Sequence, residues 1–184
     1  MKHKFKLLGL ISVLVLGLYS MNSCVGLPDG IKPVEHFEKK RYLGKWYEIA
    51  RLDHKFERGL SQVTAEYSVR EDGGLKVVNR GYNQSKSEWS EAEGKAYFVK
   101  DPDLGYLKVS FFGPFYGSYA IFELDKENYQ YAYITSYNKD YLWFLSRTPT
   151  VSAAEKKRFL VRVKELGFDV DALGIFVDHE EKGE

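Results

Sequence analysis

The 184-residue chain has one cysteine, Cys24, so no intramolecular disulfide is available and the fold rests on packing and hydrogen bonds. Of its four histidines, His3 stands in the first few residues, and His36, His54 and His179 are scattered with no H-x-x-x-H or comparable spacing, so with no cysteine cluster the sequence offers no metal site. There is no G-x-S-x-G, no P-loop and no G-x-G-x-x-G, so neither a nucleophile elbow nor a nucleotide or other cofactor site is indicated. Charge of one sign is also lacking, with 27 Lys and Arg against 26 Asp and Glu. Such a balance excludes a nucleic-acid binder of the basic kind. The longest apolar run, Leu7 to Tyr19, has thirteen residues. That is too short for a bilayer core, which needs about 20.

What is present begins at the N-terminus. Lys2, Lys4 and Lys6 precede the apolar run, and small or polar residues then lead to Cys24, the three-part layout of an export signal. The segment resembles the bacterial lipoprotein box, with Met21 where that pattern has Leu and Asn22 where it has a smaller residue. Residues 1–23 therefore read as a lipoprotein signal peptide and Cys24 as the acylated N-terminus of the mature protein, with its thiol as anchor rather than nucleophile. Val25 in place of Asp after the cysteine resembles lipoproteins sorted to the outer membrane. More than one acyl chain, at about 0.8 kcal/mol per buried methylene, holds a protein stably to a membrane. Without residues 1–23 the balance is 24 basic against 26 acidic side chains. Residues 24–35, with Gly26, Pro28, Gly30 and Pro33, read as a lipidated tether. Extended, it reaches at most ~36 Å. Residues 36–184 form the remaining domain.

Beyond the tether the pattern is mostly period two. "QVTAEYSVR" puts Val63, Ala65, Tyr67 and Val69 on one face, Glu71-Asp72-Gly73-Gly74 supplies a turn, and "LKVVNRGY" returns. Further strands are expected at 46–52, 89–99, 106–112, 118–124, 129–137 and 141–147, eight in all. Eight hairpin-linked antiparallel strands suit an up-and-down barrel, with a two-sheet sandwich as the alternative. Pro149 stops the strands, and Ser152 with Glu155 makes an S-x-x-E capping box. It opens one helix whose stripe of Phe159, Leu160, Val163 and Leu166 packs outside the barrel, ending near Gly167. "GIFVDH", residues 174–179, reads as a short final strand at the barrel edge.

In such a barrel the start of the first strand meets the end of the eighth, which brings Arg147 over Trp46 and closes one end. A guanidinium on an indole contributes about 0.5–2 kcal/mol. These residues carry a family resemblance. "YLGKWYEIAR", with Gly44 and Trp46, is similar to the lipocalin G-x-W signature. Asn138-Lys139-Asp140-Tyr141 resembles the second motif, T-D-Y, keeping Asp140 and Tyr141 with Lys139 in place of Thr, and Arg147 in "WFLSRTP" matches the third. With "EGKAYF" and "LKVSFFGPFYG", the likeness runs from about Phe37 to Val177 and is nearest to the bacterial outer-membrane lipocalins, relatives of apolipoprotein D. It implies a calyx for fatty acids or lysophospholipids, in a protein held at the outer membrane by its lipid with the barrel in the periplasm, serving envelope maintenance. The resemblance allows a homodimer.

Parity from Arg147 places Leu145, Trp143 and Tyr141 on its face, making Trp143 and Tyr141 candidate cavity walls beside plain core. Tyr129, Tyr131, Tyr133 and Tyr137 share a strand face that either lines the cavity or faces the helix; Tyr131 and Tyr133 are counted as ligand candidates. Phe115 and Tyr116 in "GPFYG" gate the mouth, touch lipid or simply pack over it. His54, Lys55, Arg58 and Lys139 are the candidates to meet a fatty-acid carboxylate at the mouth or are simply solvated loop charges, and Glu48, inward by parity with Trp46, needs a partner such as Arg80. Gly44, Trp46, Asp140 and Arg147 read as structural. The two other function classes are a scaffold lipoprotein whose barrel is filled by side chains and a barrel enzyme acting on a hydrophobic substrate.

Overall fold

A computed structural model describes residues 25–174, 176, 177 and 179. A short helix α1 (Lys39–Tyr42) leads into eight strands: β1 (Gly44–Arg51), β2 (Leu60–Val69), β3 (Leu75–Asn83), β4 (Glu88–Phe98), β5 (Tyr106–Ser110), β6 (Gly117–Leu124), β7 (Tyr131–Thr135) and β8 (Leu142–Ser146). Helix α2 (Ala153–Glu165) and a 3₁₀ turn, Val170–Ala172, follow. Each strand pairs antiparallel with the next, and β8 returns to β1, so the sheet closes into a barrel. All eight expected strands are found, and the sandwich alternative is set aside.

Two elements depart from the sequence reading. Helix α1 has the sequence KKRY, too short for any apolar period to reveal it. Of the short final strand expected at 174–179, the described residues make isolated bonds to the end of β1. Leu173 bridges Leu52, Gly174 N–H donates to the Arg51 carbonyl at 3.1 Å, and Val177 N–H donates to the Ile49 carbonyl at 2.8 Å. The pairing of β1 with β2 stops at Tyr47 and Thr64, and β2 turns away through Gln62, whose φ is +51°. The end of β1 is thereby left to the C-terminal segment.

The barrel wall divides the apolar side chains into two clusters. Inside and at the closed end are Tyr42, Trp46, Ala65, Tyr67, Leu75, Val77, Ile134 and Leu145. Outside, Ile49, Phe144 and Tyr133 pack under Phe159 and Val163 of α2, both completely buried. The helix is set by its ends. Ser152 Oγ accepts from Glu155 N–H at 3.2 Å while Glu155 Oε2 accepts from Ser152 N–H at 2.8 Å. Gly167, at φ +78°, ends it in the left-handed conformation. Residues 25–35 belong to the outer layer: Ile31 is buried in the cluster under α2, and Val34 N–H donates to the Ile121 carbonyl at 2.8 Å. This segment, read from the sequence as a tether, lies against the barrel as far as it is described, because Ile31 finds an apolar seat. Among the described residues no helix is long and apolar enough to cross a membrane.

The closed end is built around Arg147. Its guanidinium lies 3.8 Å from the centre of the Trp46 ring. It donates to the carbonyls of Arg41 at 2.7 Å, Leu43 at 2.9 Å and Lys45 at 2.8 Å, while Trp46 Nε1 donates to the Tyr42 carbonyl at 2.9 Å. Gly44 has φ +88°, a backbone that a side chain would strain, and sits where the chain bends from α1 into β1 beneath Arg147. Replacing Arg147 by Ala removes the stack and the donor of four carbonyls, that of Tyr129 included, so unfolding by urea is expected to show a loss of about 3 kcal/mol. Arg147→Lys restores the charge but not the planar fork, and most of the loss remains.

Candidate functional site

Strands β1, β3, β5 and β7 run from the closed end to the open one, so the loops at 52–59, 84–87, 111–116 and 136–141 surround the mouth. Between them lies a cavity of about 800 Å³. Its walls are largely apolar, with Leu60, Val63, Ala65, Val77, Val109 and Leu145. Near its floor are Tyr67 and Tyr119, joined by the buried Tyr42: Tyr67 Oη donates to Tyr119 Oη at 2.8 Å, and Tyr42 and Tyr119 share a hydrogen bond of 2.7 Å. Burial holds all three phenols above their ordinary pKa, so they are neutral polar groups. Asn79 Oδ1 and Ser110 Oγ, in residues that also line the cavity, are buried without a protein hydrogen-bond partner.

Of the ligand candidates read from sequence, Trp143, Tyr141, Phe115 and Tyr116 line this cavity. Tyr131 and Tyr133 do not. Tyr133 packs on Phe159 at 4.8 Å between ring centres, and Tyr131 lies under the guanidinium of Arg158 at 4.5 Å, both against α2. Tyr129, with φ +55°, breaks the alternation: it lies in the inner cluster while Tyr131 and Tyr133 face out. Tyr137 returns to the cavity at the mouth. Asp140 is an exposed loop residue tied to Asn138 and outside the lining. Cys24 lies outside the described residues.

Four titratable side chains gather beneath the mouth. Strand β1 carries a bulge between Glu48 and Ala50 where it pairs with β8. Ile49 and Ala50 both face the outer cluster, and Glu48 and Arg51 both turn in. Glu48 is 4 % exposed and bonded to the Arg51 guanidinium, which corrects the expected pairing with Arg80. Arg80 instead lies 3.7 Å from Glu91 and over Trp89 at 4.2 Å. Arg51 also donates to the carbonyls of Glu57 at 2.9 Å and Leu60 at 2.8 Å, pinning the first loop. Glu57 Oε2 accepts from Trp143 Nε1 at 3.0 Å and lies 3.0 Å from His54 Nε2. Around it, Phe56 stacks on His54 at 4.0 Å and Tyr141 on Trp143 at 6.1 Å. Of the other mouth charges, Arg58 is held by Asp53 at 2.9 Å and Lys55 is exposed. Sequence reasoning missed Arg51, Glu57, Tyr67, Tyr119, Asn79 and Ser110 as cavity or mouth residues; for Tyr67 and Tyr119 strand alternation carried the signal.

Burial, then the charge of Glu57, pushes the Glu48 carboxyl up to about 8, with Arg51 opposing. Burial acts the same way on Glu57, but His54, Trp143 and Arg51 outweigh it and hold that carboxyl below its ordinary value. The signs give a pH profile. Between about pH 4.5 and about pH 8 the folded chain retains a Glu48 proton that the unfolded chain releases, so stability falls as pH rises through that window. Glu57 acts at lower pH, where its contribution is lost as pH falls. Melting temperatures of the wild type should therefore decline across the upper window while those of Glu48→Gln stay level, the acid limb being common to both. Parallel profiles would remove the assignment.

Comparison with known proteins agrees with this geometry. Residues 37–178 match the model of the lipocalin-like domain. The chain is 60 % identical over 167 residues to the outer membrane lipoprotein Blc of Vibrio cholerae, covering 91 % of this chain and 97 % of that one. It is 55 % identical over 143 residues to the protein of the same name from Escherichia coli K12, covering 78 % and 80 %. Among solved structures it superposes on the cockroach allergen Per a 4 with a TM-score of 0.65 at 18 % identity, covering 85 % of this chain and 96 % of that one. The chain belongs to the lipocalin family.

Proposed function

We propose that this lipocalin is a membrane-anchored carrier that takes fatty acids or lysophospholipids into its cavity and is held to the outer membrane through acylated Cys24, with the barrel in the periplasm. The open, apolar-walled cavity of about 800 Å³ carries the reading. That volume lies within the range of cavities that enclose a small ligand. An acyl chain fits the walls of Leu60, Val63, Val77, Val109 and Leu145, and the phenols of Tyr67 and Tyr119 offer neutral hydrogen bonds. The names of the two relatives support the location. A barrel filled by side chains would leave no such space, which weighs against the scaffold alternative.

The pair Glu48 and Glu57 is the feature that favours the enzyme alternative, since two carboxylates with opposed pKa shifts suit acid and base roles. Each is already committed, Glu48 to Arg51 and Glu57 to Trp143 and His54. Those bonds fix the first loop over the mouth, and binding remains the better reading.

Native mass spectrometry of the protein purified from membranes, titrated with a fatty acid and a lysophospholipid, is expected to show a saturable adduct whose ligand is released with its mass unchanged. Trp143→Ala weakens that adduct by about tenfold, a cost of about 1.4 kcal/mol. No adduct at high lipid returns the reading to a scaffold, and a ligand of altered mass to an enzyme. Labelling with palmitate is expected to mark the wild type and not Cys24→Ser.

A further inference from the structure

The described chain begins at the open end of the barrel. Gly26 N–H donates to Ser118 Oγ at 2.9 Å, and that hydroxyl donates back to the Gly26 carbonyl at 2.6 Å. Ser118 is the second residue of β6, just after the loop 111–116 that rims the mouth. From there the segment descends the outer wall, with Ile31 buried and Phe37 N–H donating to the Asp103 carbonyl at 2.8 Å near the closed end. Only Val25 separates Gly26 from Cys24, and consecutive Cα atoms lie ~3.8 Å apart. A chain attached to lipid at Cys24 is therefore attached beside the mouth, with no spacer to let the barrel turn over.

The same end carries the exposed aromatic surface. Phe112 is 79 % exposed, Phe115 76 % and Phe56 62 %, with Trp89 and Tyr137 beside them. Among the described residues the other exposed large apolar side chains are Val69 and Val161, elsewhere on the surface. Trp and Tyr concentrate at the interface between bilayer and water, and Phe is among the side chains that surface-bound proteins bury there.

We infer that the protein sits mouth-down on the membrane that anchors it, with Phe56, Phe112 and Phe115 in the lipid interface and the cavity opening onto lipid rather than water. This rests on reading Cys24 as the acylated anchor. A ligand then passes between bilayer and cavity without its acyl chain crossing solvent, and an approach that turned the closed end to the membrane is blocked by the tether.

The test uses the full chain purified from membranes with its anchor and placed in vesicles of phosphatidylethanolamine and phosphatidylglycerol whose acyl chains carry a nitroxide. Cys24 is the only cysteine, so a new one takes a thiol-reactive fluorophore alone. Phe115→Cys puts the label at the mouth and Lys126→Cys at the closed end, both at exposed positions. The Phe115→Cys label is expected to lose most of its emission to the nitroxide and the Lys126→Cys label to keep its own. Equal emission from both, or greater loss at Lys126→Cys, overturns the orientation while leaving the anchor intact. Wild-type protein that takes up the label has a free Cys24, and both the anchor and the orientation then fall.

Discussion

Arg147 on Trp46 is the contact on which the rest of this lipocalin depends. Eight antiparallel strands can close into a barrel only if the first and last agree on their register. The stack fixes the eighth strand against the beginning of the first at 3.8 Å. The guanidinium also takes up three carbonyls where α1 bends into β1, groups that the helix and strand ladders do not serve at this chain reversal. Because one end is filled in this way by Arg147, Trp46 and Tyr42, the core does not need to occupy the whole barrel. The space beyond the tyrosine hydrogen bonds becomes the cavity.

A wall with two apolar faces is stable only when both are covered. Helix α2 and the N-terminal segment cover the outside, and Phe159, Val163 and Ile31 fill the groove above Phe144, Ile49 and Phe122. The inner face above Tyr67 and Tyr119 is left for a guest. Burying apolar surface of a ligand there contributes at about 25 cal/mol per Å², the same effect that seats α2 outside. The structure thus separates the work of folding, done at the closed end and under the helix, from the work of binding, done at the other end.

The mouth is where local rules give way. The bulge after Glu48 sends Arg51 inward, and its bonds to the loop carbonyls of Glu57 and Leu60 hold that loop in place. Trp143 reaches the same loop through Glu57, so one indole is both cavity wall and latch. A buried carboxylate with a charged partner costs less than an isolated one, and the cluster survives burial because every member has a polar neighbour. The loop that carries Phe56 is therefore fixed by charge from beneath and free to expose its ring above.

Alternation of two and the turn residues between strands were enough to specify eight strands, and the capping box and Gly167 enough to bound the helix, because these features depend on neighbours within a few residues. Antiparallel order then brought Arg147 to Trp46 and put Trp143, Tyr141 and Leu145 on one inner face. Tyr131 and Tyr133 show the limit: a left-handed residue at Tyr129 shifts the phase of the strand, and no pattern in the tyrosines announces it. Glu48 shows it again, since its partner is set by a bulge three residues from Arg51 rather than by the facing strand that carries Arg80. The sequence by itself determined the eight strands, helix α2, the strand order and the closed end, all consequences of local chemistry and parity. Tertiary structure alone decided which tyrosines face the cavity, which charges meet under the mouth and where the N-terminal segment runs, because bulges, left-handed residues and packing of distant segments act through space and leave no period in the chain.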